Sequence, residues 1–265
     1  MSISRQVSVI NWKNGTQQSR DDEVASEIPV ALTYNKRSHV VMMVTPTALE
    51  DFATGFSLTE GIIEAPADIF EIAVIERENG LEVAMTVNED CFDRLEGQRR
   101  NLVGRTGCGL CGAESLEQAI RHPAVVGSRI SVSAAALQLA VLSLNAHQPL
   151  QVVTGAVHGA AWCNTDGEIL ALREDVGRHN ALDKLIGFLF RTGFDPSGGF
   201  VLISSRASYE MVYKAAAAGM EVLVSVSAPT SLAIDFAYRS GITLVGFARP
   251  GRHNIYTFES RISDV

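Results

Sequence analysis

The sequence predicts an α/β protein: a mainly parallel sheet covered by helices, preceded by a smaller N-terminal α+β region. Three observations carry this expectation. From Ser131 onward, apolar runs of strand length alternate with runs at helical spacing. Before that point, short apolar runs flank tight-turn residues, which suits hairpins. The composition, 265 residues with 46% hydrophobic and 20% charged, is that of a folded chain long enough for one large core or for a core with a smaller partner.

Residues 1–27 are polar and weakly patterned. They read as a mobile or loosely docked arm, with room for an edge strand at Val7–Trp12. Ile28–Tyr34 and Val40–Val44 read as strands joined by the polar turn Asn35–Ser38. Pro46 opens a helix whose buried stripe is Leu49, Phe52, Ala53 and Phe56, and Gly61 ends it. Ile69–Arg77 and Leu81–Val87 flank Glu78-Asn79-Gly80, a hairpin signal. This α+β region covers residues 28–104. Residues 105–127 hold a cysteine loop and a short helix, about Ala113 to Arg121. The α/β core covers 128–265. Its expected helices are Ala134–Leu144, Asn180–Phe190, Tyr209–Ala218 and Ser231–Arg239. Its expected strands are Leu150–Thr154, Glu168–Leu172, Phe200–Ser204, Glu221–Val226 and Ile242–Phe247.

Several function classes are set aside at this stage. A net charge of -8 counts against broad nucleic-acid binding, which needs clustered cations to displace counterions, but leaves room for a local basic pocket. No apolar h-region follows Met1, so no secretory signal is expected. No run approaches the ~18 apolar residues of a membrane span, and a cytoplasmic protein is expected. Four cysteines are too few for a disulfide scaffold. In a reducing compartment a close pair points to metal binding or thiol chemistry.

Polar clusters fall where the expected strands end: Thr154-Gly155, Arg173-Glu174-Asp175, Ser204-Ser205-Arg206, Ser227-Ala228-Pro229-Thr230 and Arg249-Pro250-Gly251-Arg252. Open α/β sheets bind ligands outside the carboxyl ends of their strands, so these clusters mark a candidate rim. The strongest anion site is Phe247-Ala248-Arg249-Pro250-Gly251-Arg252. Gly251 would let backbone amides approach a phosphate, arginine supplies a planar fork of donors, and Phe247 could cover a flat ring. A surface turn with two solvated arginines fits the same residues. Asp175, Arg178 and His179 suit either the rim or a buried network. His158 suits an acid/base group, a metal ligand or a packed core histidine.

Cys108 and Cys111 lie in Gly104-Arg105-Thr106-Gly107-Cys108-Gly109-Leu110-Cys111-Gly112. Zinc would need two further ligands, and no second Cys-x-x-Cys or His-x-x-x-His exists. Dithiol redox motifs usually open a helix directly after a strand, and this pair sits among glycines. Persulfide chemistry asks for an exposed, nucleophilic thiolate on a mobile tether. The four glycines supply the tether, while Arg105 and the following helix would lower the thiol pKa. This third reading fits the loop best.

Four long motifs, in order, carry a resemblance. They are Arg105-Thr-Gly-Cys108-Gly-Leu-Cys111-Gly, Arg173-Glu-Asp-Val-Gly-Arg-His-Asn180-Ala-Leu-Asp-Lys184, Ser204-Ser-Arg-Ala-Ser208-Tyr-Glu-Met211 and Ser227-Ala-Pro-Thr230. From about Ile28 to Tyr256 the chain resembles the FdhD family of sulfur carriers required for formate dehydrogenase activity. The resemblance implies a sulfurtransferase that takes sulfur from a cysteine desulfurase as a persulfide on Cys108, with Cys111 as its partner. It implies transfer to the molybdenum cofactor in its bis(guanine dinucleotide) form, bound at Phe247–Arg252, before insertion into formate dehydrogenase. It further implies a homodimer, no resident metal, and a cytidine-deaminase-like core. The deaminase zinc machinery is not assembled: the cysteines precede His158, which Gly159 and Ala160 follow. A cofactor-binding chaperone with structural or zinc-binding cysteines is the other reading.

Overall fold

The computed structural model describes residues 1–99, 125–195 and 198–264. Its centre is a six-stranded sheet in the order β13-β12-β11-β10-β8-β9. The strands are β8 (His158–Asn164), β9 (Ile169–Asp175), β10 (Gly199–Ile203), β11 (Val222–Ser225), β12 (Thr243–Arg249) and β13 (Arg252–Ile255). β10, β11 and β12 are parallel. They are linked through helices α6 (Tyr209–Ala217) and α7 (Ser231–Ser240). β8 is antiparallel to both β10 and β9, and β13 is antiparallel to β12. The sheet is therefore mixed, which corrects the mainly parallel expectation. A tight turn, Asn164–Gly167, joins β8 to β9, and so short a connection can link only antiparallel neighbours. Asn164 Oδ1 closes it by accepting from the Asp166 and Glu168 amides, and Gly167 takes the positive φ of 88° that the turn needs.

All five residues of β10 are buried, because the sheet is covered on both faces. Alternation divides the strand. Val201 and Ile203 face α6, α7 and helix α5 (Arg178–Thr192), whereas Phe200 and Leu202 face helix α3 (Ala134–Ser143). Two short strands, β7 (Val132–Ser133) and β14 (Ile262–Ser263), pair beside α3.

The N-terminal region is a second, four-stranded sheet in the order β4-β3-β6-β5. It contains β3 (Ile28–Tyr34), β4 (Arg37–Val44), β5 (Ile69–Arg77) and β6 (Gly80–Val87), with helices α1 (Leu49–Thr59) and α2 (Glu89–Arg99). Glycine joins the two regions. A Cβ on Gly55 of α1 would be driven into the Asp183 carbonyl of α5, and one on Gly187 of α5 into the Asp51 carbonyl of α1. The two helices therefore cross backbone to backbone. Ion pairs ring the crossing: Arg173 to Asp51 at 2.9 Å, Arg191 to Asp51 at 2.7 Å and Lys214 to Asp183 at 2.8 Å.

Two expectations change here. Most of the segment read as an arm is a hairpin, β1 (Ser4–Lys13) with β2 (Thr16–Ala25), turning at Asn14-Gly15 with φ of 50° and 85°. The edge strand read at Val7–Trp12 lies within β1, where Val7, Val9 and Asn11 alternate as the less exposed residues, whereas the polar β2 gave no pattern to read. Leu150–Thr154 is not a strand but the end of a short helix, α4 (Pro149–Thr154). Pro149 opens it with a pre-set φ. The Glu174 carboxylate accepts the free amides of Leu150 and Gln151 at 3.0 and 2.8 Å.

Candidate functional site

Because β8 runs against β10, its amino end lies beside the carboxyl ends of β10, β11 and β12. The register pairs Ala160 with Ile203 and His158 with Asp175. Residues from distant stretches thus meet at one rim, around a cavity of about 650 Å³. Val141, Leu142, Leu144, Val157, Val226 and Pro250 form its apolar wall. Asn145, Gln148, Gln151, His158, Ser204 and Arg249 supply its polar groups.

The anion loop is divided. Ala248, Arg249 and Pro250 line the cavity; Phe247, Gly251 and Arg252 are not among its lining residues. Phe247 sits in a bulge of the β12–β13 hairpin with φ of 51°, and its amide donates to the Ser227 carbonyl. Gly251 has φ of 77°, which the turn requires. Its amide donates to Gln138 Oε1 at 2.7 Å, so this N–H is already committed and not free for a phosphate. Gln138 Nε2 also reaches the Arg252 carbonyl and His253 Nδ1, so α3 fixes the whole turn. Arg249 and Arg252 stand directly opposite each other on the hairpin, both exposed. Facing like charges repel, and an anion between them relieves that repulsion.

Arg173, Glu174 and Asp175 are structural. Arg173 holds Asp51 and stacks over the Phe188 ring with 4.0 Å to its centroid. Asp175 is fully buried against Lys184 at 2.7 Å. It also accepts from Thr45 N, Gly177 N and Asn180 Nδ2. His158 is half-buried, with burial first and the nearby Arg178 and His179 next lowering its pKa, so it presents a neutral ring to the cavity. Behind it, Glu210 pairs with His179 and accepts from Ser208 Oγ at 2.7 Å. Those contacts hold its carboxyl down to about 2.

Cys108 and Cys111 lie outside the described residues. Cys163 is buried in the sheet, where desolvation pushes its thiol far up. Cys91 is buried in the N-terminal region. Among the described residues no group of three or more His, Cys, Asp or Glu side chains is placed to hold a metal. No helix among them is long and apolar enough to cross a membrane.

The α3–α4 side of the cavity was not anticipated from the sequence. Its signal was a run of polar residues, Asn145, His147, Gln148 and Gln151, broken by Pro149, and Gln148 takes a non-helical backbone between two short helices.

Residues 25–263 match the model of the FdhD/NarQ family. The chain is 52% identical to the sulfur carrier protein FdhD of Cupriavidus necator over 96% of its own length and 88% of that protein. It is 47% identical to the sulfur carrier protein FdhD of Bordetella petrii over 92% and 88%. Among solved structures it superposes on a protein of Desulfotalea psychrophila proposed to be a formate dehydrogenase accessory protein. That match has a TM-score of 0.78 and 28% identity, covering 98% of this chain and 100% of that one.

Proposed function

Because the chain belongs to the FdhD/NarQ family, we propose that it is a sulfur carrier for the maturation of formate dehydrogenase, working through a persulfide on Cys108. Relatives named as sulfur carrier proteins match along most of the chain, which supports the sulfur role. The observation that carries the cofactor half is the rim cavity. Its apolar wall suits a flat ring, and Arg249, which faces Arg252 across the hairpin, is among its lining residues. At about 650 Å³ it suits one base-and-phosphate end of a dinucleotide, not a whole bis(guanine dinucleotide) cofactor.

The proposed cycle has two steps. The Cys108 thiolate attacks the outer sulfur of a cysteine persulfide on a desulfurase. A new S–S bond forms on Cys108, and the donor cysteine leaves as a thiolate. At the molybdenum cofactor, which is the substrate, the Cys111 thiolate attacks the inner sulfur of the Cys108 persulfide. The outer sulfur departs as sulfide to the metal, and the Cys108 and Cys111 sulfurs, which supply the two electrons, are left joined as a disulfide. A dithiol reductant restores the pair. The chain's own task is positioning: the rim holds the nucleotide end while the reacting sulfur is brought to the other end. We assign this work to a homodimer in the cytoplasm, with a cysteine desulfurase as donor and formate dehydrogenase as the recipient of the sulfurated cofactor.

The test is to incubate the protein with a cysteine desulfurase and L-cysteine and to take peptide mass spectra. The expected result is a gain of one sulfur on the Cys108 peptide, removed by reductant and absent in Cys108→Ala. Formate dehydrogenase matured by Cys108→Ala would overturn the carrier role and leave a cofactor-binding chaperone.

A further inference from the structure

Gln148 is 3% exposed, yet its side-chain nitrogen has no hydrogen-bond partner. It is among the residues that line the rim cavity, as are Asn145 and His158. Burying an amide donor without an acceptor is unfavourable, and the backbone offers this side chain no escape. The Gln148 N–H donates to the Asn145 carbonyl, its own carbonyl accepts from Val152, and Pro149 follows it. The amide rests on Gly159, where an added Cβ would fall 2.7 Å from Gln148 Cδ. Gly159 is fixed in turn, because its N–H donates to Ser204 Oγ at 2.9 Å and its carbonyl accepts from Ser204 N at 3.0 Å. A polar group has thus been placed, clamped and left unpaired in a cavity whose lining also holds the apolar side chains of Val141, Leu144, Val157 and Val226.

We propose that the Gln148 amide is the specificity-determining contact of the cavity, donating to a ring carbonyl or ring nitrogen of the base of a nucleoside diphosphate. The phosphates of that ligand lie toward Arg249 and Arg252. The inference rests on the reading of this cavity as the nucleotide end of the cofactor site, and it divides that site into a base-reading part and a charge-reading part. Gly159 belongs to the first part as the residue whose missing side chain makes room for the amide.

The experiment compares GDP with inorganic pyrophosphate, which has no base, by calorimetry on the full chain. Gln148→Leu is expected to weaken GDP binding about tenfold, the worth of one buried hydrogen bond, and to leave pyrophosphate binding unchanged. Gly159→Ala, which keeps the amide but displaces it, is expected to weaken GDP in the same way. Arg249→Ala is expected to weaken both ligands. A urea midpoint for each variant establishes that it is folded. Wild-type affinity for GDP in Gln148→Leu, or an equal loss of GDP and pyrophosphate, overturns the assignment of Gln148 and leaves the cofactor site standing. A wild-type protein that binds neither ligand overturns the nucleotide reading, and the role of Gln148 with it.

Discussion

Replacing Lys184 with Met removes the ammonium from a pair that solvent does not reach. Lys184 and Asp175 are both fully buried, 2.7 Å apart. Lys184 Nζ also donates to the Thr45 carbonyl at 2.9 Å. Methionine fills similar volume, so the loss is electrostatic: the Asp175 carboxylate and the Thr45 and Glu174 carbonyls lose their ammonium partner in the interior. Removing one partner of such a pair costs about 3–5 kcal/mol. The Asp175 carboxylate keeps three hydrogen bonds, from Thr45, Gly177 and Asn180, which favours the lower end. For a chain of this size that corresponds to a fall in Tm of roughly 6–20 °C. The assay is urea denaturation of wild type, Lys184→Met, Asp175→Asn and the double variant. The double variant is expected to recover a large part of the loss, with a coupling of about 2 kcal/mol between the two sites. A loss below about 1 kcal/mol in Lys184→Met, or additive single effects, would refute the view that this pair secures Thr45 to the central sheet.

Gly187→Ala is expected to destabilise by at least about 3 kcal/mol, the upper range of overpacking, because the new methyl meets the Asp51 backbone and not a movable side chain; a urea midpoint equal to wild type would contradict the crossing described above. Glu210 predicts an acid-range effect. Its folded pKa, about 2, lies below the ordinary 4.5, so its contribution is present above pH 4.5 and is lost as pH falls toward 2. The stability difference between wild type and Glu210→Gln should therefore shrink from pH 5 to pH 2.5, and a constant difference measured by urea midpoints would remove the His179 pair as its cause.

The four strands of the N-terminal sheet and helix α1 were legible from their apolar spacing, whereas the polar α2 was not anticipated and α1 proves buried nearly all round. Val30, Leu32 and Tyr34 alternate along β3, and Phe52, Ala53 and Phe56 recur at helical spacing along α1. The rim was legible for a topological reason: polar clusters ended β10, β11 and β12. What failed was direction. His158 begins β8 and does not follow a strand, and the small residues Gly159, Ala160 and Ala161 gave no strand signal until the register with β10 supplied one. Val152 and Val153 suggested a strand because they are β-branched. The Glu174 carboxylate, 23 residues away, stabilises the helix instead, and no local propensity encodes a cap that comes from another element. Gln148 was invisible for the same reason, since its environment is made by Gly159 and Ser204. Asp175 was read as suiting either the rim or a buried network, and its partners Lys184, Thr45, Gly177 and Asn180 place it in a buried network.

The crossing of α1 and α5 at Gly55 and Gly187 has a mechanical consequence. Two helices in backbone contact, held by ion pairs on both sides, have no slack in which to rock, so the two sheets form a single rigid block. A carrier must meet a donor and then an acceptor, and a block of this kind cannot open and close like a jaw to do so. Whatever displacement the transfer requires has to come from elements outside that seam, and the rim cavity, walled by α3-side residues on the other face of the central sheet, lies outside it.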